Sequence, residues 1–322
     1  MKSIIKDIRK DRRMSFIMYE DYRKCMLCPR ECGADRINNI GYCGASGEMY
    51  AARAALHFWE EPCISGDRGS GAVFFSGCPL RCVYCQNYHI SAGGSGKAVS
   101  EQRLTEIFFE LKEQGAENIN LVTGDHYLPQ IISSVAEAKR QDIGLPFIFN
   151  CSGYEKTESL KRLEGLIDVY LPDFKYMDSG LAQKYSNAPD YPDTAKKAVA
   201  EMMQQQPLKI LDSRGMIKHG VIVRHLLLPG HVLDSRKVIR YLFETYGNAV
   251  TLSLMNQYTP MSQIKEQYPE LDRKVKHSEY ERLVDFALGL GVREAYIQEG
   301  ETQKDSFIPD FNNDGVVKKK ED

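Results

Sequence analysis

From about residue 71 onward the chain alternates short apolar, β-branched runs with segments whose apolar residues recur every three or four positions. The run "GAVFFSG" (71–77) is followed by a helical segment opening near Ser100, in which Leu104, Ile107, Phe108 and Leu111 fall on one face and Gly115 closes the run. "NINLVTG" (118–124) leads into a second such face of Leu128, Ile131, Ile132 and Val135, and "PFIFN" (146–150) leads into "TESLKRLEG". Further strands are predicted at "LIDVYLPDFK" (166–175), "HGVIVRHLLLPG" (219–230), "AVTLSLMNQ" (249–257) and "REAYIQEG" (293–300). Strand and helix in turn predict βα units and a parallel sheet. A sheet of six or seven such units either opens at a reversal of strand order or curls toward a barrel, and both place chemistry at the C-terminal strand ends.

Residues 15–70 lack this alternation, so the expected division is a small cysteine-rich module over 1–70, the βα region over 71–300 and a polar tail over 301–322. In the tail "FIPDF" is the expected docking point, and Trp59 is expected to pack between module and sheet. The stretch "NYHISAGGSGKAV" (87–99), with Gly93 and Gly94, reads as a movable lid or as a plain connector. The balance of 42 basic and 44 acidic side chains gives no broad positive field for nucleic acid. No run nears the roughly 18 apolar residues of a membrane helix. The basic start carries Asp7 and Asp11 and no long apolar core, so the expected location is cytoplasmic.

Nine cysteines, an odd number, argue against a closed disulfide framework, and their grouping argues for metal in a reducing compartment. Cys63 and Cys151 stand alone and read as small buried hydrophobes. Cys25, Cys28, Cys32 and Cys43 follow C-x2-C-x3-C-x10-C, four thiols suited to a structural zinc, with an iron–sulfur centre as the alternative. In "SGCPLRCVYCQNY" (76–88), Cys78, Cys82 and Cys85 follow C-x3-C-x2-C. A zinc site would take His89 as its fourth ligand; a four-iron cluster on three thiolates would keep one iron open for a substrate or cofactor. The other predicted strands end in polar residues: Thr123, Gly124, Asp125 and His126; Asn150 and Ser152; Asp173 and Lys175; Arg224 and His225; Asn256 and Gln257.

The three-cysteine loop after a strand, with Tyr84 before the last thiol, resembles the cluster loop of the radical S-adenosylmethionine (SAM) superfamily. The resemblance implies a partial (β/α)6 TIM-like barrel, a [4Fe–4S] cluster on Cys78, Cys82 and Cys85, SAM on the fourth iron, and Tyr84 near the adenine. It also implies an electron donor such as flavodoxin or ferredoxin. "PDFK", "NCSGY" and "VRHLLLPG" are similar to segments of the glycyl radical enzyme activases, of which pyruvate formate-lyase activase is the known type. By that similarity Asp173 and Lys175 would meet a SAM-associated monovalent cation and SAM itself, Arg224 would contact SAM, and Gln257 its ribose. Two segments depart from the pattern. "TGDHY" replaces the usual Gly-Gly-Glu, leaving Thr123, Gly124 and Asp125 as substitutes, and Asn150 stands where an aspartate is usual, with Ser152 beside it. Modification of another protein or a small molecule, and a non-catalytic metal-binding protein, are the alternative functions.

Overall fold

The computed structural model describes residues 20–92, 94–298 and 309–318. Its strands are β1 (Tyr50–His57), β2 (Ser70–Phe75), β3 (Lys97–Ala98), β4 (Ile119–Val122), β5 (Phe147–Cys151), β6 (Val169–Pro172), β7 (Ile210–Leu211), β8 (Ile217–Leu226), β9 (Thr251–Met255) and β10 (Ala295–Ile297). The helices are α1 (Pro62–Ser65), α2 (Tyr88–Ser91), α3 (Glu101–Glu113), α4 (Leu128–Arg140), α5 (Thr157–Lys161), α6 (Ser179–Ser186), α7 (Tyr191–Gln205), α8 (Val232–Tyr246) and α9 (His277–Leu290). Helix α3 starts where its cap predicts, with the Ser100 side chain accepting from the Arg103 N–H, and Gly115 ends the segment in the left-handed region.

The strands run β10-β9-β8-β6-β5-β4-β2-β1-β3, with β7 beside β8. The seven from β2 to β10 in that path are parallel to their neighbours, and β1 joins antiparallel to β2. The order never reverses, so there is no switch point of the doubly wound kind. Among the described residues the edge strands β3 and β10 do not pair with each other, and the fold is a mixed α/β sheet, mostly parallel and not closed there by hydrogen bonds.

Strand alternation sorts the apolar residues into two sets. Val73, Phe75, Ile119, Leu121, Phe147, Phe149, Val221, Val223, Leu252 and Leu254 pack in the main core with Leu104, Ile107, Phe108, Leu111, Leu128, Ile131 and Val135 of the helices. The opposite face is not left to solvent. Ile148, Val169, Leu171 and Ile222 pack on Cys63 and Ile64 of α1, so the β1–β2 connection plugs that face. Phe74 and Val122 pack with Ala52 and Phe311, the last contributed by the tail.

The division expected at residue 70 therefore cuts a hairpin: Ala54 to His57 pair with Val73 to Ser70. The alanine-rich "YAARAALH" carries weak strand propensity, and the connection from 58 to 69 is too long to read as a hairpin turn. Within "FIPDF", Phe307 and Ile308 lie outside the described residues, while Phe311 meets the Phe74 ring edge-on at 5.5 Å. The Asn313 N–H donates to Ala52 O and the Ala54 N–H to Asp314 O. Trp59, expected between module and sheet, is 59% exposed and lies at the wall of the cavity described below. In the 87–99 stretch Gly93 lies outside the described residues; the rest includes helix α2 and strand β3, and β3 is tied antiparallel to β1. No helix among them is long and apolar enough to cross a membrane.

Glu117 ties the plug to the β7–β8 turn. Its buried carboxylate accepts two hydrogen bonds each from Arg68 and Arg214, at 2.5–2.8 Å, and those guanidinium groups pull its pKa down to about 2. A carboxyl held below its ordinary 4.5 contributes stability above that value and loses it as pH falls toward 2. Both arginines are half exposed, so solvent screening reduces the gain. Glu117→Gln should cost about 1–2 kcal/mol at neutral pH, with the gap to the parent protein closing between pH 4.5 and 2 in urea denaturation.

Candidate functional site

The loop after β2 brings Cys78, Cys82 and Cys85 to one cavity of about 220 Å³, whose wall also includes Tyr84, Thr123, Asn150, Ser152, Asp173, Lys175, Arg224 and Gln257. Gly77 opens the loop at φ +91°, where a Cβ would come within 2.9 Å of Cys43 O. Arg30 of "CPREC" clasps the loop from outside, donating to the carbonyls of Pro79 at 2.9 Å, Leu80 at 3.2 Å and Ser186 at 2.7 Å. The Cys78 N–H donates to Cys43 O at 3.0 Å, so both cysteine groups are joined through the backbone. The Ser186 hydroxyl donates to Cys82 Sγ at 3.1 Å.

Tyr84 is buried, with edge-on contacts to Tyr176, Tyr185 and Tyr258 and a 2.6 Å hydroxyl contact to Tyr176. Two non-glycine residues stand in the left-handed region here, Arg81 at φ +54° in the cysteine loop and the β-branched Thr123 at φ +57° on the cavity wall. Such strain is kept where a site over-determines the backbone.

One guanidinium organises the cavity's charged side. Arg224 Nε donates to Asp173 Oδ1 at 3.0 Å, Nη1 to Glu60 Oε2 at 3.2 Å and Nη2 to Asn150 Oδ1 at 2.5 Å. Lys175 Nζ takes the other Asp173 oxygen at 2.6 Å. The Nδ2 groups of Asn120 and Asn150 donate to Glu60 Oε1 at 3.0 and 3.3 Å. The two carboxylates on Arg224 shift in opposite directions. Burial raises Glu60 against the pull of Arg224, whereas burial at Asp173 is outweighed by Lys175 and Arg224, which hold it below its ordinary value. Lys175 is raised, by Asp173 and then by the thiols Cys82 and Cys85, against the penalty of burial. Burial pushes His225 down to about 4, leaving it neutral, with Nδ1 facing Phe174 O at 2.7 Å.

The expected residues do not all meet there. Gly124 and Asp125 follow Thr123 but do not line the cavity, because the strained turn sends the chain into a short 3-10 helix behind the cysteine loop. Asp125 is buried there, where burial and then its carboxylate push the Cys28 thiol up to about 12 and hold Cys78 well above its ordinary value. Burial and then Asp125 also raise Glu155, to about 8. His89 is exposed on α2 and does not line the cavity, so the four-ligand zinc alternative loses its fourth ligand. Cys63 is buried as expected; Cys151 is buried too, but on the cavity wall. Both Asp173 oxygens already meet cations and Asn150 Oδ1 is taken by Arg224, which leaves a monovalent cation no unengaged oxygen from these two side chains. Of the first cysteine group, Cys25, Cys28 and Cys43 are buried and Cys32 is exposed.

Among the described residues no three Cys, His, Asp or Glu side chains meet closely enough to take one metal ion. In a four-iron cluster each thiolate sits on a different iron, so its ligands stand further apart than those of one ion. Three thiols spread along one wall, beside two cations and two carboxylates, fit such a cluster and a zwitterionic cofactor.

Glu60 is the residue that sequence reasoning missed. It sits in "HFWEEP", outside every predicted strand end, and reaches the cavity from the plug; the doubled acid in an otherwise apolar stretch was the available signal. Glu60→Ala should cost about 1–3 kcal/mol through the donors it strands. Glu60→Gln, which still accepts from Asn120, should cost less; urea denaturation of the two variants checks the order.

Residues 72–242, a little over half of the chain, match the model of the Radical SAM superfamily. An uncharacterized protein of Methanocaldococcus jannaschii is 29% identical over 275 residues, covering 83% of this chain and 75% of its own length. The matched segment runs from β2 through α8 and holds the three-cysteine loop with Asp173, Lys175 and Arg224, so the chain belongs to the radical SAM superfamily.

Proposed function

We propose that this radical SAM enzyme abstracts a hydrogen atom from a residue of another protein, with a glycyl radical enzyme as the target class. The observation that carries the radical chemistry is the meeting of Cys78, Cys82 and Cys85 with Asp173, Lys175 and Arg224 on one cavity. In this reading the three thiolates hold a [4Fe–4S] cluster. When bound, cluster and SAM supply a reductive cleavage that yields methionine and a 5′-deoxyadenosyl radical.

The chain's own side chains provide position and charge. Lys175 and Arg224 offer cations to a carboxylate, and Glu60 and Asp173 offer acceptors to an ammonium. The Ser186 hydroxyl stabilises negative charge on Cys82 Sγ, and such hydrogen bonds tune a cluster's potential. Thr123, Asn150, Ser152 and Gln257 add polar groups to the wall, and Tyr84 an aromatic one. The unreversed strand order supports a partial barrel.

With cluster and cofactor on this wall, substrate is met at the mouth of the cavity, where a segment of another protein can reach it. Nine free cysteines support a reducing, cytoplasmic setting, where flavodoxin or ferredoxin would deliver the electron.

Anaerobically reconstituted protein with SAM and dithionite should release 5′-deoxyadenosine, and Cys82→Ala should release none; no release from the parent protein would sink the radical chemistry. Incubation with pyruvate formate-lyase should then give a glycyl radical signal by electron paramagnetic resonance. Release of 5′-deoxyadenosine without that signal would move the target to another protein or a small molecule.

A further inference from the structure

Behind the cysteine loop lies a second group of buried thiols that the cavity does not use. We propose that Cys25, Cys28 and Cys43 hold an iron–sulfur centre of their own, closed by the Asp125 carboxylate, with Cys32 outside the ligand set. This deepens the expectation of a metal on the first cysteine group and is independent of the radical chemistry.

Three observations carry it. Cys25, Cys28 and Cys43 are each more than nine-tenths buried, whereas Cys32, expected as the fourth ligand, is exposed. Asp125 is 6% exposed, its charge acts on the Cys28 and Cys43 thiols, and its Oδ2 is buried with no hydrogen-bond partner. An unpaired carboxylate oxygen in a dry interior is costly and calls for a cation.

The third observation is Arg36. It is wholly buried, yet no carboxylate among the described residues lies within ion-pair distance of it. Its guanidinium donates to the carbonyls of Ala45, His126 and Ser46 and to Cys25 Sγ at 3.6 Å, and sits 4.5 Å over the Tyr22 ring. A buried cation needs a counter-charge, and the groups beside it that a bound metal would turn into anions are the Cys25 and Cys43 thiols. An arginine donating to sulfur is also a usual outer partner of a thiolate-bound metal.

The choice of iron–sulfur over zinc follows from spacing: these thiols, like those of the cavity loop, do not meet on a single ion. Three thiolates and a carboxylate, each on its own iron, need no such meeting. The Cys43 O to Cys78 N–H bond would then place the two centres side by side.

The test uses the full chain with Cys78, Cys82 and Cys85 all changed to Ala, which removes the first cluster and makes the result independent of SAM chemistry. Purified and reconstituted anaerobically, this protein should retain iron and acid-labile sulfide. Adding Cys32→Ser should leave both unchanged, whereas adding Cys43→Ser or Asp125→Asn should lower them at least several-fold. Asp125→Cys should retain them, which separates ligand loss from failure to fold. Zinc in place of iron and sulfide, no metal at all, or equal losses from Cys32→Ser and Cys43→Ser would overturn the assignment.

Discussion

The structure depends on one mostly buried cation, Arg224, which closes a charge balance across four chain segments. Asp173 follows β6, Asn150 ends β5 and Glu60 comes from the plug, yet all three accept from the same planar group on β8. Desolvating a guanidinium is expensive, and only multiple charged, well-aligned acceptors offset it. Here they do, and the consequence is positional: the ends of neighbouring strands are held at a fixed separation on one side of the cysteine loop. Lys175 extends the set without disturbing it, since it takes the Asp173 oxygen that Arg224 leaves.

That arrangement explains why the sheet can remain open and yet keep a defined interior. Among the described residues hydrogen bonding stops at β3 and β10, but the inner face is covered by α1 at one side and by Phe311 of the tail at another. Apolar packing does there what a further strand pair would do in a closed barrel. Gly153, at φ +77° with Asp173 O where a Cβ would stand, lets the β5 and β6 ends approach closely enough for the shared guanidinium to span them.

Much of this was legible in the chain. Each of the seven strands expected from residue 71 onward is present, because runs such as "AVFF" and "INLV" are buried on both faces and read as continuous apolar segments. The three-cysteine loop was legible too, since its spacing is local. What escaped was whatever depended on distant contacts. β1 is built of alanines that become a strand only beside β2, and β3 and β7 have two residues each. Glu60 gains its meaning from Arg224, 164 positions away. Asp125 was expected in the cavity because it follows Thr123, but a left-handed turn at a β-branched residue is invisible to propensity and sends it to the other side of the loop.

The Arg30 clasp has a consequence for how the protein is made. Its acceptors at Ser186 lie 156 positions later in the chain. At about 5–20 residues per second, the first cysteines leave the ribosome roughly 10–30 s before that contact can form. The cysteine loop is therefore made well before its clasp is complete, and the part of that support that comes from Ser186 arrives late in synthesis.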